Sequence, residues 1–260
     1  MLKKPAPIAR FAPHRIILAL ISAAVVGYMI YFLRWDWLAD YSDKIWIGLW
    51  RTVWLLALSV LFGFLLALPL GLAQANGPKP LAIMANSFCT VIRGTPLLLQ
   101  LWLIYYGLGS IFPTIPSIRQ SELWPYLRQA WPYALFTLSI SFAAYEAEIM
   151  RGAFAGVPKG ELEAARAIGM SRWQCFRRIL LPRAFYRALP TLGGEVVLQM
   201  KATPLVATIT MIDIYAVFSK VRQDTFITYE PLLFLALIYI VLAALLTLVF
   251  KHIENRNPVH

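Results

Sequence analysis

Seven polar side chains recur at helical spacing within two otherwise apolar segments of the chain. They are Thr137, Ser141, Tyr145 and Glu148 in the first segment, and Glu195, Gln199 and Thr203 in the second. At about 100° per residue, each set falls on one face of a helix. Polar groups in an apolar segment are costly to expose to lipid, so both faces are expected to border an internal route. A carboxylate there could meet a cationic group of a solute. The alternative is that these side chains hydrogen-bond neighbouring helices or a partner subunit.

Other chemistry finds no support in the sequence. No Gly-x-x-x-x-Gly-Lys-[Ser/Thr] phosphate loop occurs, so the chain is not expected to hydrolyse ATP. His14, His252 and His260 are terminal or close to the ends of apolar segments, and Cys89 and Cys175 have no Cys-x-x-Cys partner. We therefore predict no catalytic residues, no metal site and no cofactor bound by this chain.

The elements that position these residues are predicted to be membrane-spanning helices. The chain has 260 residues, of which 60% are hydrophobic and only 14% charged, whereas soluble domains carry about 25% charged residues. Six segments are long and apolar enough to span a bilayer. They are roughly 16–33, 51–75, 95–112, 133–150, 188–211 and 231–250. The first could instead be a signal peptide, but no small-residue cleavage site follows it.

The distribution of basic residues orients these helices. With the N-terminus inside, 16 Lys and Arg residues fall in cytoplasmic segments and 7 in outer segments, which predicts that both termini are cytoplasmic. The net charge of +11 does not indicate nucleic-acid binding, because the basic residues are spread over short segments between apolar runs. We predict a tail at 1–15, an extra N-terminal helix at 16–33, a transmembrane domain at 45–250 and a tail at 251–260.

The loop at 151–187 is the one sizeable polar segment, and it begins with the pattern of a short helix. Pro158 suits a first helical turn, and Glu161 and Glu163 favour the positive end of the helix dipole. Gly169 can close the helix in a left-handed conformation. A helix this short needs a packing partner. The residues from Trp173 to Leu180 then predict an interfacial helix that leads to Pro182 and the next span.

This loop resembles the EAA loop of the membrane subunits of ABC importers. The match comprises Glu163-Ala164-Ala165, then Gly169, Ile179 and Leu181-Pro182 at the spacing of that motif. The resemblance implies that the loop forms a coupling helix, which docks on a separate ATP-hydrolysing subunit. The residues carried over to that role are Gly160, Glu161, Glu163, Ala164, Ala165, Gly169 and Met170.

Further motifs are similar to those of permeases for histidine, lysine, arginine, ornithine and the opines. They are 93–97 (Arg-Gly-Thr-Pro-Leu), 144–152 and 201–205 (Lys-Ala-Thr-Pro-Leu). In the first, Thr95 is expected to cap a helix that begins at Pro96. In the last, Pro204 replaces the usual Ser of the family and should kink the fifth span. The resemblance implies import of a polar, basic amino acid or opine. The alternative is a secondary transporter driven by an ion gradient, which would show inverted repeats, and we find no internal repeat.

The resemblance also implies an architecture and a set of partners. The fold is expected to be an all-α integral membrane protein with about six transmembrane helices, namely the five-helix core of a type I ABC importer plus the N-terminal helix. The partners are two ATP-binding subunits that use ATP and magnesium, a second permease subunit that is a paralogue, and a periplasmic binding protein, all at the bacterial inner membrane. Ser117, Arg119 and Glu122 in an outer loop either meet that binding protein or are simply solvated.

Overall fold

The computed structural model describes residues 31–256 together with Ile17, Leu20, Ile21 and Gly27. Every element within these residues is helical. The α-helices are α1 (Trp37–Asn76), α2 (Lys79–Gly94), α3 (Leu97–Ile111), α4 (Pro116–Arg119), α5 (Trp124–Leu127), α6 (Trp131–Ala155), α7 (Lys159–Ala167), α8 (Arg172–Cys175), α9 (Leu181–Ala202), α10 (Ile214–Thr225) and α11 (Tyr229–Arg256). The predicted tail at 1–15 and most of the predicted helix at 16–33 lie outside the described residues.

Three of the described helices are long and apolar enough to cross a membrane: α1, the Leu97–Thr114 helix that extends α3, and α11. Helix α1 has 40 residues and so measures about 60 Å, longer than the roughly 40–45 Å of a whole bilayer. It begins 14 residues before the predicted span, because Lys44, Trp46 and Arg51 lower the hydropathy of its first turns without preventing a helix. Helix α11 exposes an apolar outer surface, as expected of contact with lipid.

Helix α6 lies at the centre of the bundle and packs along α1. The close approach depends on two glycines of α1. A Cβ atom on Gly63 would lie 2.8 Å from the Ser139 carbonyl oxygen, and one on Gly71 would lie 2.8 Å from the Ala147 carbonyl oxygen. Small residues at such crossings are typical of membrane helices, since lipid supplies no hydrophobic drive for helix association. Helix α6 has 25 residues but is too polar to qualify as a span by composition.

The next span is broken. A helical run extends from Arg172 to Ile209 and then bends by 54° into α10. The segment predicted to be an interfacial helix is helical and leads directly into the span: α8 continues through a π-helical turn, Phe176–Leu180, into α9 without a break. Pro204 was expected to kink this span, and the α-helix does end at Ala202, where the backbone tightens into a 3₁₀-helix over Thr203–Ile209. Proline removes the amide that an α-helix would need there.

Two of the longer helices were not predicted from the sequence. Helix α2 fills the segment between the second and third predicted spans, and α10 fills an outer loop. The predicted capping role of Thr95 is also wrong, because Pro96 occupies the N-cap position of α3. The Thr95 hydroxyl instead donates back to the Val91 carbonyl oxygen, 3.0 Å away. It thereby satisfies the end of α2 rather than the start of α3, which leaves an irregular corner between the two helices.

Candidate functional site

A cavity of about 230 Å³ lies where this corner meets α6 and α9. Four of the seven predicted pathway residues line it, namely Ser141, Tyr145, Glu195 and Gln199. Thr95 contributes a wall from the α2–α3 corner. Irregular backbone within a membrane is tolerated where it lines a cavity. The irregular corner between α2 and α3 is therefore consistent with an internal route at this place. The two polar faces deduced from the sequence do meet across a common space.

Glu195 is the carboxylate of this cavity. It is partly buried, and it makes no hydrogen bond or ion pair within the described residues. Its other side borders a second, more open cleft of about 660 Å³, which also contains Lys201 and Glu254. A carboxylate in an apolar helix bundle is strongly favoured by a cationic partner. A cation placed in the cavity would therefore favour the charged form of Glu195 without displacing a bonded partner.

Glu148 differs from Glu195 because it forms ion pairs with two arginines. The Arg151 Nε atom donates to Glu148 Oε1 at 2.9 Å, and the Arg93 Nη1 atom lies 3.6 Å from Glu148 Oε2. The pairing with Arg151, three residues along the same helix, is the local contact that this spacing allows. The pairing with Arg93, at the end of α2, was not predicted. Glu148 does not line the cavity but lies next to it.

The remaining predicted pathway residues have structural partners. The Thr137 hydroxyl donates to the Tyr133 carbonyl oxygen at 2.8 Å. The Thr203 hydroxyl donates to the Met200 carbonyl oxygen at 2.8 Å. Both threonines are fully buried and away from the cavity wall. The geometry thus favours helix packing for these two, which is the alternative that the sequence left open.

Gln199 both lines the cavity and bonds neighbouring helices. Its Nε2 atom donates to the Leu138 carbonyl oxygen at 3.0 Å and lies 3.4 Å from Ser59 Oγ, which ties α9 to α6 and α1. The same side chain borders the cavity. Because the amide nitrogen is held by two acceptors, the orientation of the group is fixed. Gln199 therefore presents a fixed polar surface beside Glu195.

The predicted coupling loop follows the C-terminal end of α6 and contains α7. This helix spans Lys159–Ala167, after the N-cap residue Pro158. It ends as predicted at Gly169, whose φ is +83°. The Gly169 amide donates to Arg166 at 3.0 Å, and the Met170 amide donates to Ala165 at 3.1 Å. These two bonds define a Schellman motif, which satisfies the last carbonyls of the helix.

The chain then starts a new helix at once. Ser171 and Gln174 form a capping box, in which the Ser171 amide donates to Gln174 Oε1 at 2.8 Å and the Gln174 amide donates to Ser171 Oγ at 3.3 Å. Farther along, the Arg183 guanidinium of α9 bonds Glu161 of α7 at 3.0 Å. A helix stop, a helix start and an ion pair therefore fix α7 against the base of α9.

The two faces of α7 have different environments. Ala165 is 3% exposed and packs inward, whereas Ile168 is 79% exposed. Glu163 and Ala164 are also exposed, and Glu163 has no ion-pair partner within the described part of the chain. The short helix thus presents an acidic and apolar surface, made of Glu163, Ala164 and Ile168, that nothing in the described chain covers.

Replacing Gly169 by Val should weaken this turn, because a β-branched residue is strained at positive φ by about 1–2 kcal/mol. We expect solute uptake to fall severalfold at equal protein levels, since α7 would lose its fixed end. Gly169→Asn is the matched control, because Asn tolerates the left-handed region, and it should retain most of the uptake. Equal uptake by both variants would show that the turn does not position α7. Transport assays in cells, with the protein quantified in membranes, measure this.

The structure also shows where the predicted outer-loop residues and Glu146 lie. Ser117, Arg119 and Glu122 are all exposed, on and after the single-turn helix α4. Glu146 lies outside the predicted polar stripe of α6 and is fully buried, with neither carboxylate oxygen bonded within the described chain. Among the residues that the structure describes, no group of three or more His, Cys, Asp or Glu side chains could hold a metal ion.

Comparisons with known proteins agree with this architecture. Residues 59–257 match the family model described as "Binding-protein-dependent transport system inner membrane component". The octopine transport system permease protein OccM of Rhizobium meliloti is 40% identical over 196 residues, which cover 75% of this chain and 78% of that protein. The histidine/lysine/arginine/ornithine transport system permease protein HisM of Escherichia coli K12 is 33% identical over 210 residues, covering 80% and 87% of the two chains.

Solved structures show the same fold. A chain from the crystal structure of an amino acid ABC transporter with histidines superposes with a TM-score of 0.71 at 31% identity, covering 86% of this chain and all of that one. A chain of the inward-facing MetNI methionine ABC transporter superposes with a TM-score of 0.68 at 17% identity, covering 84% of this chain and 97% of that one. The second likeness concerns the fold alone.

Proposed function

This chain belongs to the family of binding-protein-dependent transport system inner membrane components, and we propose that it is the permease subunit through which a basic amino acid or an opine enters the cell. The observation that carries the proposal is the unpaired carboxylate of Glu195 in the wall of the cavity. Relatives named for octopine and for histidine, lysine, arginine and ornithine support the same class of solute. All of these solutes carry a cationic group.

The size of the cavity supports a small solute. Pockets for drug-sized ligands measure about 300–1,000 Å³, and this cavity measures about 230 Å³. Ser141, Tyr145 and Gln199 would supply polar contacts, and Glu195 would supply the charge. Thr137 and Thr203 would shape the route indirectly, through the packing of α6 and α9.

We propose that α7 couples this route to ATP hydrolysis by two separate subunits that bind ATP and magnesium. Two features support this role. The surface of Glu163, Ala164 and Ile168 is uncovered within the described chain, and the ion pair of Glu161 and the capped turn at Gly169 connect α7 to the helical run that contains α9. Because α9 carries Glu195, a movement of α7 would be transmitted to the cavity along one continuous helical run.

The remaining partners complete the proposal. A second permease subunit, a paralogue of this chain, would cover the exposed sides of the bundle. A periplasmic binding protein would deliver the solute to the outer surface near Ser117, Arg119 and Glu122. The excess of basic residues in the segments that include α7 supports an inner-membrane orientation with both termini in the cytoplasm.

Reconstitution of the whole complex into vesicles tests this function. We expect uptake of labelled arginine that requires ATP and the binding protein, and that falls when lysine, ornithine or octopine competes. Uptake driven by an ion gradient without any ATPase subunit would instead support a secondary transporter. Competition by neutral amino acids alone would reject the basic solute class while leaving the importer class intact.

A further inference from the structure

A cluster of three charges joins the end of α2 to α6 beside the cavity. Arg93, Glu148 and Arg151 form it, with Arg93 contributing a contact of 3.6 Å between elements that are 55 residues apart in sequence. All three side chains are partly exposed, at 40%, 32% and 42%. Ion pairs with such exposure contribute little to stability. This cluster can therefore open and close at low cost.

The cluster lies on the inner side of the cavity. The Arg93 guanidinium sits over the Tyr145 ring, 5.7 Å from its centroid, and Tyr145 lines the cavity wall. Glu148 follows Tyr145 by three residues, about 4.5 Å farther along α6 towards the α7 loop. The contact between Arg93 and Glu148 therefore lies on the α7 side of the cavity, next to the wall that Tyr145 forms.

The charges at this place discriminate between solutes. A cation held near Glu195 can compete with Arg93 for Glu148, because both are positive and both suit the same carboxylate. A neutral solute has nothing to exchange for Arg93 and leaves the contact between α2 and α6 in place. Arg151 pairs with Glu148 within the same helix, so its bond does not join two elements. Arg93 is thus the member whose release would free α2 from α6.

We propose that Arg93 is a specificity-determining residue, which closes the inner side of the cavity by pairing with Glu148 and gives way to a cationic solute. The proposal rests on the proposed import of basic solutes. It assigns a role to the Arg-Gly-Thr-Pro-Leu segment, in which Thr95 and its hydrogen bonds fix the corner and Arg93 carries the charge. A structural tie alone would stabilise the helices without affecting which solute passes.

Arginine and citrulline provide the test, since citrulline has nearly the same shape but no positive side chain. Their uptake is measured in vesicles that contain the whole complex, with each maximal rate and apparent KM determined separately. For Arg93→Gln, we expect the ratio of the maximal rates, arginine over citrulline, to fall roughly twofold to fivefold, the range that corresponds to a partly exposed ion pair. The apparent KM for arginine should stay the same or decrease, because Glu148 loses a competitor.

Further variants separate this role from a structural one. Arg93→Lys keeps the charge and should restore most of the discrimination. The double variant Arg93→Gln/Glu148→Gln should discriminate no less than Glu148→Gln alone, because the two residues act as a unit. Lys79→Gln, at the start of the same helix, is the control and should behave like the unmodified chain.

The outcomes are distinct. Unchanged discrimination in Arg93→Gln, with the unmodified complex preferring arginine, would overturn the role of Arg93 and leave the proposed function intact. Equal transport of arginine and citrulline by the unmodified complex would overturn the basic solute class and this inference with it. Loss of discrimination that Arg93→Lys fails to restore would show that charge is not the determinant, and would also overturn the inference.

Discussion

Replacing Glu163 by Arg is expected to reduce ATP-driven uptake more than about tenfold. Glu163 is exposed on α7 and has no ion-pair partner within the described chain, so the change should leave the fold intact. On the proposed role of α7, the effect should appear at the interface with the ATP-hydrolysing subunit. Placing a charge opposite a like charge at an interface costs several kcal/mol, and each 1.4 kcal/mol corresponds to a factor of ten.

Co-purification measures this prediction directly. The variant should retain less ATPase subunit on an affinity-tagged permease, and ATP hydrolysis should respond less to the binding protein. Asp43→Arg is the matched control, because it makes the same charge reversal at an exposed position near the start of α1 without touching α7 or the cavity. Normal assembly and normal coupled hydrolysis in Glu163→Arg would show that the exposed surface of α7 does not dock the ATPase.

Replacing Glu195 by Gln is expected to raise the apparent KM for a cationic solute about tenfold or more. The substitution preserves shape and removes only the charge, and hydrogen bonds to an ionised group are roughly twice as strong as neutral ones. Glu195 makes no hydrogen bond or ion pair within the described residues, so a solute cation need not displace a bonded partner. Uptake of labelled arginine over a range of concentrations measures the change.

A control identifies the space in which Glu195 acts. Glu195 borders both the cavity of about 230 Å³ and the open cleft that contains Lys201 and Glu254. Glu254→Gln alters only the open cleft and should leave the apparent KM unchanged. An equal effect of Glu254→Gln would move the solute route to the open cleft. An unchanged KM in Glu195→Gln would remove this carboxylate from solute binding.

The coupling loop could be predicted closely from the sequence because its determinants are local. Capping residues, helix propensity and a glycine act within a few positions, and the bounds of α7 and the positive φ of Gly169 agree with the expectation. The i,i+3 pairing of Glu148 with Arg151 is local as well. The interfacial helix predicted from Trp173 to Leu180 rests on local periodicity too, and it runs without a break into α9.

The cavity could be predicted only in part, because it depends on distant contacts. Helical periodicity placed Ser141 and Tyr145 on one face and Glu195 and Gln199 on another, but it could not tell that Thr137 and Thr203 bond to their own helices. It could not bring Arg93 to Glu148 either, since that pairing needs the unpredicted helix α2. Hydropathy identified the apolar spans and overlooked α2 and α10, whose mixed faces lie against the bundle.

The polarity of α6 has a consequence for how the protein is made. During synthesis each span must pass from the translocation machinery into lipid, and a charged side chain near the centre of a helix costs about 2.5–3.5 kcal/mol in that step. Helix α6 carries Glu146 and Glu148 and is too polar to qualify as a span by composition, whereas α1 and α3 precede it and do qualify. Its insertion should therefore depend on spans that have already entered the membrane. Gly63 and Gly71 of α1 form the surface against which α6 then packs. The position of α6 behind two more apolar spans thus also indicates an order of assembly.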